Sequence, residues 1–201
     1  MGKRGNRRKT GITKLYVEGD IEEASIRSLL QNRLGRRGIQ VRNTRGVDNF
    51  FRKIGKYVRN SLDDGARKVI GLIDLHNAIQ GRLHLEKEQL IEEVKNKTLR
   101  NIDKKYHDRF ILCLAVREYE AWALADDAGL SKFIGHKVGP WSNPEDIDGI
   151  NPPKKVVNKL RLKHCKISYS RVKDGKRLFE NIDADVVANK CTHFSEFVAN
   201  L

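Results

Sequence analysis

The chain has 201 residues, of which 39% are hydrophobic and 33% are charged, and its formal net charge is +14. This length is typical of one domain, because domains average about 150 residues. No apolar run approaches the ~20 residues that a membrane span requires, and three scattered cysteines are too few for a disulfide framework. We therefore expect a cytoplasmic protein.

The positive charge is concentrated in three segments of the chain. Residues 1–14, 33–60 and 153–177 hold 25 of the 40 basic residues and two of the 26 acidic ones. Their net charge is therefore +23, and the remainder carries −9. Such segments either form solvated faces or bind a polyanion with strong salt dependence. On charge alone, RNA, DNA and an acidic protein partner all remain open. The cations singled out for nucleic-acid binding are Arg36, Arg37, Arg42, Arg45, Lys154, Lys155 and Arg171.

Strand and helix patterns alternate along most of the chain. Residues 1–11 are polar, basic and glycine-rich, which is typical of a flexible arm. The predicted strands are 14–19, 39–42, 69–74 and 110–116. Helical patterns follow them at about 20–34, 50–62, 85–99 and 118–127. The last two strands are nearly continuous apolar runs, as in strands buried on both faces of a parallel sheet. The order predicts an α/β domain over residues 12–138, with a mostly parallel sheet flanked by helices.

The last third of the chain has a different character. Residues 139–153 hold all four prolines and predict a loop, and residues 154–201 are mostly helical and basic. We expect residues 139–201 to form a loop and a helical extension that packs on the same domain.

Acidic residues recur where the predicted strands end. Glu18, Asp74 and Glu118 close strands one, three and four, and Glu22 and Glu120 follow close behind. In a parallel sheet these strand ends lie along one edge, where such folds bind ligands. Carboxylates gathered there favour a divalent cation, and oxygen-only ligands favour Mg²⁺ or Mn²⁺. The alternative is that acids stabilise helix N-termini, which explains Glu22 and Glu120 better than the strand-end pair.

Several short motifs carry a family resemblance. Residues 15–19 with Glu22 resemble the first motif of TOPRIM domains, and residues 73–76 lie where those domains carry an Asp-x-Asp pair. Further matching stretches are 117–122, 143–155, 169–175 and 190–194. Together they resemble a small uncharacterised TOPRIM-like family that is often encoded beside ABC-type ATPases. That family is related to the TOPRIM domains of overcoming-lysogenisation-defect class nucleases.

The resemblance implies roles for the candidate catalytic residues. Glu18 would act as a metal ligand or general acid/base, and Asp74 would hold Mg²⁺ or Mn²⁺. Glu22 would complete or support this site. Glu118 and Glu120 correspond to a Glu-x-Glu motif of the smaller family.

His76 stands where the second aspartate of the TOPRIM pair is expected. It would be a third metal ligand, a proton-transfer group or a loop histidine. The missing aspartate implies a one-metal site, a site that prefers Mn²⁺, or a non-catalytic fold.

Two functions follow from these observations. The first is a metal-dependent phosphodiesterase that acts on nucleic acid, with or without an ABC-type ATPase partner. The second is a non-catalytic TOPRIM-like module that binds nucleic acid or regulates a partner ATPase. The sequence contains no phosphate-binding G-x-x-x-x-G-K-[ST] loop, so we do not expect the chain to hydrolyse nucleotides by itself.

Overall fold

The computed structural model describes residues 11–31, 38–79, 86–116, 118–141, 145 and 152–201. The predicted arm lies outside this part except for Gly11. The described elements are β1 (Thr13–Val17), α1 (Asp20–Leu29), β2 (Ile39–Asn43), α2 (Val47–Asp63), β3 (Lys68–Asp74), α3 (Leu75–Ile79), α4 (Lys87–Leu99), a 3₁₀ helix (Lys104–Arg109), β4 (Phe110–Ala115), α5 (Glu120–Ala125), α6 (Asp127–Ile134), α7 (Pro153–Cys165), α8 (Arg171–Phe179), α9 (Ala184–Lys190) and α10 (Thr192–Ala199).

The four strands form one parallel sheet with the order β2-β1-β3-β4. In the register, Val17 pairs with Asn43 and Leu72, and Asp74 pairs with Ala115. Because parallel neighbours require a crossover, helices separate the strands along the chain. The predicted α/β class, with a helical C-terminal region, is confirmed.

Three details of the prediction differ from the structure. The helix predicted at 118–127 is divided in two, because the Asp126 side chain accepts a hydrogen bond from Gly129 N and caps a new helix, α6. Glu118 does not close β4, which ends at Ala115. The short helix α3 begins directly after Asp74, where no helix was predicted.

The sheet separates two hydrophobic cores. In β3, Val69 and Ile73 contribute to one core, which also contains residues of α2 and α4. Ile70 and Leu72 contribute to the other core, which contains residues of α5 to α10. This alternation follows from the two-residue period of a strand. Asp74 shares the parity of Ile70 and Leu72, so it lies on the side of the C-terminal helices.

Trp122 in α5 links the sheet to the C-terminal helices. Its side chain is fully buried, and its ring lies 4.8 Å from the ring of Phe194 and 5.2 Å from that of Tyr119, measured between centroids. Aromatic contacts of this kind add about 0.5–1.5 kcal/mol to the free energy gained by burial. Helices α5 and α10 therefore belong to one continuous core.

Among the residues that the structure describes, no helix is both long enough and apolar enough to cross a membrane.

The Gly55→Ala variant tests how closely α2 approaches the loop after α4. A Cβ atom at this position would lie 1.8 Å from the backbone oxygen of Asn101. We expect a loss of about 3 kcal/mol in the free energy of unfolding, at the upper end of overpacking costs. Alanine's higher helix propensity, about 1 kcal/mol, is too small to compensate. Urea denaturation measures the difference.

Gly175→Ala in α8 is the matched control. Its Cβ would lie 3.3 Å from side-chain atoms of Ile21 and Ser25, and these can shift slightly. We expect a change within about 1 kcal/mol, because helix propensity offsets the tight contact. Equal losses in the two variants would contradict the packing described here.

Candidate functional site

Glu18 and Asp74 meet at the carboxyl-terminal edge of the sheet. Asp74 is the last residue of β3, and Glu18 directly follows the neighbouring strand β1. The backbone N–H of Asp74 donates a hydrogen bond to Glu18 Oε1. Both residues are buried, since Asp74 is 0% exposed and Glu18 is 5% exposed. The topology therefore brings these two predicted residues into contact.

Arg171, the first residue of α8, joins the other predicted carboxylates to this pair. Its Nε lies 2.7 Å from Glu120 Oε1, and its Nη2 also donates to Glu120 Oε2. Its Nη1 lies 3.3 Å from Asp74 Oδ2 and 3.5 Å from Glu22 Oε1. Its Nη2 lies 3.8 Å from Glu118 Oε1. One guanidinium thus contacts four carboxylates.

We call Glu18, Glu22, Asp74, Glu118 and Glu120 the carboxylate cluster. All five candidate catalytic residues belong to it, and they come from the ends of β1 and β3 and from the starts of α1 and α5. Within the part of the chain that the structure describes, these five acidic groups gather around one cation, Arg171, which pairs with four of them. This arrangement is unfavourable unless some groups are protonated or a further cation binds.

The pKa of Asp74 reflects this excess of negative charge. Complete burial is the main cause that raises its pKa well above the usual value, and the charge of Glu18 adds to the rise. Arg171 opposes the rise without cancelling it. An additional cation near Asp74 would therefore favour its charged form.

Two tyrosines fix the geometry around Glu120. Tyr169 Oη donates to Glu120 Oε1 at 3.1 Å, and burial followed by the Glu120 charge raises the pKa of this phenol, so it remains a donor at neutral pH. Tyr119 Oη donates to the carbonyl oxygen of Leu72 at 3.1 Å. The first bond orients the Glu120 carboxylate, and the second holds the start of α5 against β3.

Helix α8 holds Arg171 against α1. The Asp174 side chain accepts hydrogen bonds from Ser170 N at 2.9 Å and from Arg161 Nη2 at 3.4 Å, which fixes the first turn of α8. Gly175 faces Ile21 and Ser25 of α1 without a side chain between them. The backbone of Arg171 is therefore positioned by contacts that do not involve its guanidinium.

A small cavity lies beside the guanidinium. Glu22, Glu120 and Arg171 line it together with Tyr119 and Phe179, and its volume is about 10 Å³. A void of this size holds about one water-sized particle. The site therefore has room for a water or a small ion next to two carboxylates.

The donor set fits a hard divalent cation, because every member of the carboxylate cluster is an oxygen ligand. Among the described residues, however, no three acidic, histidine or cysteine side chains are arranged to hold a metal ion as they stand. The guanidinium of Arg171 lies between the carboxylates, in the position that a metal ion would take. His76, the third predicted ligand, is exposed on α3.

Four of the cations predicted to bind nucleic acid lie exposed on the surface. Arg45 follows β2 in a loop whose next residue, Gly46, donates its N–H to the carbonyl oxygen of Glu18. Lys154 is the second residue of α7, and its backbone N–H donates to Glu118 Oε2 at 2.9 Å. Arg45 and Lys154 therefore lie near two members of the cluster, Glu18 and Glu118. Arg42 and Lys155 are also exposed, whereas Arg36 and Arg37 lie outside the described residues.

Two of the stretches that resemble the TOPRIM-like family, 143–155 and 190–194, contact each other through Glu145 and His193. The buried Glu145 carboxylate accepts hydrogen bonds from the backbone N–H groups of His193 and Phe194, at 3.2 and 3.3 Å. It also lies 3.1 Å from His193 Nδ1. Glu145 thus occupies the N-terminal end of α10.

The main feature that sequence reasoning missed is the position of Arg171. Its motif was recognised, but its side chain was assigned to phosphate contact on the basic surface. In the structure this side chain faces inward and contacts the acids. One of them, Glu22, is 149 residues away in the sequence. The signal in the sequence was the excess of acids that the predicted topology gathers at one edge of the sheet.

Asp74→Asn is expected to make the protein more stable at pH 7. Because the folded pKa of Asp74 is raised, stability falls as the pH rises from the usual pKa of 3.8 towards the folded value. The neutral amide avoids this loss, so we expect a gain of about 1 kcal/mol at pH 7 that shrinks towards pH 4. Urea denaturation at both pH values measures it.

Asp64→Asn is the control, since Asp64 is exposed. We expect a change within about 0.5 kcal/mol at either pH. A variant at Asp74 that is less stable than the wild type at pH 7 would contradict the electrostatic description of the cluster.

No curated protein matches this chain. A solved structure of the C-terminal region of the OLD protein from Xanthomonas campestris pv. campestris is similar to it with 16% sequence identity and a TM-score of 0.35. That alignment covers 89% of this chain and 95% of the other. Residues 17–201 match the family described as "Domain of unknown function (DUF4276)". The chain therefore belongs to the DUF4276 family.

Proposed function

We propose that this protein is a metal-dependent phosphodiesterase that cleaves nucleic acid at the carboxylate cluster. The observation that carries the proposal is the convergence of five acidic side chains at the carboxyl-terminal edge of a parallel sheet. Such an edge is where α/β folds bind ligands. Buried acids gathered there cost stability, so their presence indicates a functional role rather than a structural one.

Glu18 and Asp74 are the residues that would hold the cation. They are in contact, they are buried, and they offer only oxygen ligands. The proposed cofactor is Mg²⁺ or Mn²⁺, which when bound would polarise a phosphate oxygen or lower the pKa of a water. Glu22 lies 3.5 Å from the guanidinium of Arg171, which also contacts Asp74, and it supports the site from α1. The exposed His76 is not needed in this arrangement.

Glu118 and Glu120 position the elements around the site. Glu120 accepts from both Tyr169 and Arg171, so its carboxylate is held in one orientation. Glu118 accepts from the backbone of Lys154 and thereby places the start of α7 beside the cluster. Each is therefore a positioning residue for the groups on the C-terminal helices.

The proposed substrate follows from the exposed cations around the cluster. Arg45 lies beside a backbone group that bonds to Glu18, and the backbone of Lys154 bonds to Glu118, so both cations lie near the acids and could hold a phosphate chain there. Cations supply position and salt dependence, whereas cleavage requires the metal site. The resemblance to TOPRIM-like proteins supports an ABC-type ATPase as a proposed partner that would supply ATP hydrolysis.

One observation favours the second candidate function, a non-catalytic module. Arg171 already provides a cation to the cluster, and His76 replaces the second aspartate of the TOPRIM pair. A protein with this site would bind nucleic acid, or regulate a partner ATPase, without cleaving. The cleavage assay below separates the two functions.

Conservative substitutions of the proposed ligands test catalysis. Glu18→Gln and Asp74→Asn are each expected to lower metal-dependent cleavage by at least about a hundredfold, because a lost ligand costs more than a lost supporting contact. Plasmid DNA and structured RNA are incubated with Mg²⁺, Mn²⁺ or a chelator, and nicked or shortened products are quantified. The ATPase partner is added in a parallel series.

His76→Ala is the matched control, and we expect it to retain cleavage within about tenfold. Cleavage that survives both carboxylate substitutions would exclude the cluster as the active site. Binding without cleavage under all conditions would favour the non-catalytic module.

The salt dependence of binding tests the surface cations. Replacing both Arg45 and Lys154 with glutamine is expected to reduce the slope of log K against log salt concentration by about 2, or about 1 per lost phosphate contact. Fluorescence anisotropy with a labelled oligonucleotide measures the slope. Two exposed lysines, Lys95 on α4 and Lys104 in the 3₁₀ helix, are replaced in the control. An equal reduction in the control would contradict a localised binding surface.

A further inference from the structure

Arg171 occupies the place in the carboxylate cluster that a bound cation would take. Its guanidinium contacts four carboxylates. The distances from its nitrogen atoms to their oxygen atoms are 2.7 Å for Glu120, 3.3 Å for Asp74, 3.5 Å for Glu22 and 3.8 Å for Glu118. Asp74 is also one of the two residues proposed to hold the metal. A divalent ion coordinated by Glu18 and Asp74 would lie close to this positive charge, because Arg171 Nη1 is 3.3 Å from Asp74 Oδ2. The two cations therefore compete for Asp74.

We propose that Arg171 exchanges between two partners, the carboxylate cluster and a phosphate group of the substrate, and that a divalent cation takes its place in the cluster. This inference rests on the function proposed above. Metal and nucleic acid then bind cooperatively, because each removes the competitor of the other. The metal draws the acids away from Arg171, and the phosphate draws Arg171 away from the acids.

The position of Arg171 permits this exchange. It lies on the first turn of α8, its side chain is 16% exposed, and the next residue, Val172, is 75% exposed. The guanidinium is thus at the boundary between the buried acids and the surface. A change of side-chain rotamer is enough to move it outward, and such changes in partly exposed residues are fast.

Helix α8 does not depend on the guanidinium for its own position. Asp174 caps it through Ser170, and Gly175 packs on Ile21 and Ser25 of α1. Tyr169 keeps its hydrogen bond to Glu120 when Arg171 departs. The side chain can therefore leave while the helix and the acids remain in place.

The surface beside Arg171 would hold a phosphate. Lys173 and Lys176 are exposed on the same helix, and Asp174, the acid between them, is turned inward to Arg161. An outward-facing Arg171 would join these lysines and contact a phosphate with two parallel hydrogen bonds. Nucleic acid fits this surface better than an isolated phosphate, because its successive phosphates contact several cations.

Metal titration of the full chain tests the competition. The affinity for Mn²⁺ is measured by calorimetry for the wild type, Arg171→Met and Lys95→Met, without and with a phosphorothioate oligonucleotide that resists cleavage. In the wild type we expect the oligonucleotide to raise Mn²⁺ affinity about tenfold, within the usual range of coupling between two sites. In Arg171→Met, Mn²⁺ alone should bind about tenfold more tightly, and the oligonucleotide should add little. Lys95→Met removes an exposed cation from α4, outside the proposed binding surface, and should behave as the wild type does.

A measurement on the wild type avoids the destabilisation that Arg171→Met could cause. In arginine-labelled protein, the Nε–H signal of Arg171 is identified by its absence from Arg171→Lys. Its hydrogen bond to Glu120 predicts slow exchange with solvent in the metal-free protein. We expect Mg²⁺ together with the oligonucleotide to make this exchange fast. A signal that stays protected at saturating metal and oligonucleotide would overturn the proposal.

The outcomes separate this proposal from the proposed function. Tight Mn²⁺ binding that requires Glu18 and Asp74 but is unchanged in Arg171→Met would overturn the competition and leave the metal site intact. Mn²⁺ binding that is unaffected by Glu18→Gln and Asp74→Asn would overturn the metal site itself. Equal coupling in Arg171→Met and the wild type would show that the cooperativity does not involve Arg171.

Discussion

The contact between Arg171 and four carboxylates is the interaction on which the rest of the site depends. It joins β3, α1, α5 and α8, elements that are far apart in the sequence, at one point of the molecule. Breaking a buried ion pair by removing one partner typically costs about 3–5 kcal/mol, because the remaining charge is left uncompensated. Here one cation compensates several acids, so the C-terminal helices are required for an acidic sheet edge to exist at all.

Much of the fold could be predicted from the sequence because it follows from local patterns. The apolar runs of β3 and β4 indicated buried parallel strands, and the resulting topology predicted that Glu18 and Asp74 would meet. What could not be predicted depends on distant contacts. The side-chain cap of Asp126 divides a helix that periodicity presents as continuous, since capping depends on how the backbone turns at that residue.

The partner of the acidic residues was also outside the reach of sequence patterns. Arg171 lies in a strongly basic segment, and charge counting assigns every cation of such a segment to the surface. Its inward orientation depends on how α8 packs on α1, which in turn depends on the close approach at Gly175. The packing of two helices that are far apart in the sequence thus decides that this arginine faces the acids.

The distance in sequence between Arg171 and its partners also bears on the order in which the protein folds. During synthesis, β1, β3 and α5 leave the ribosome well before residue 171 does, and Glu22 precedes Arg171 by 149 positions. Contacts between such distant residues form late, because closing long loops costs chain entropy. The acids at the edge of the nascent sheet therefore lack the positive charge of Arg171 until α8 has been made and has docked on α1.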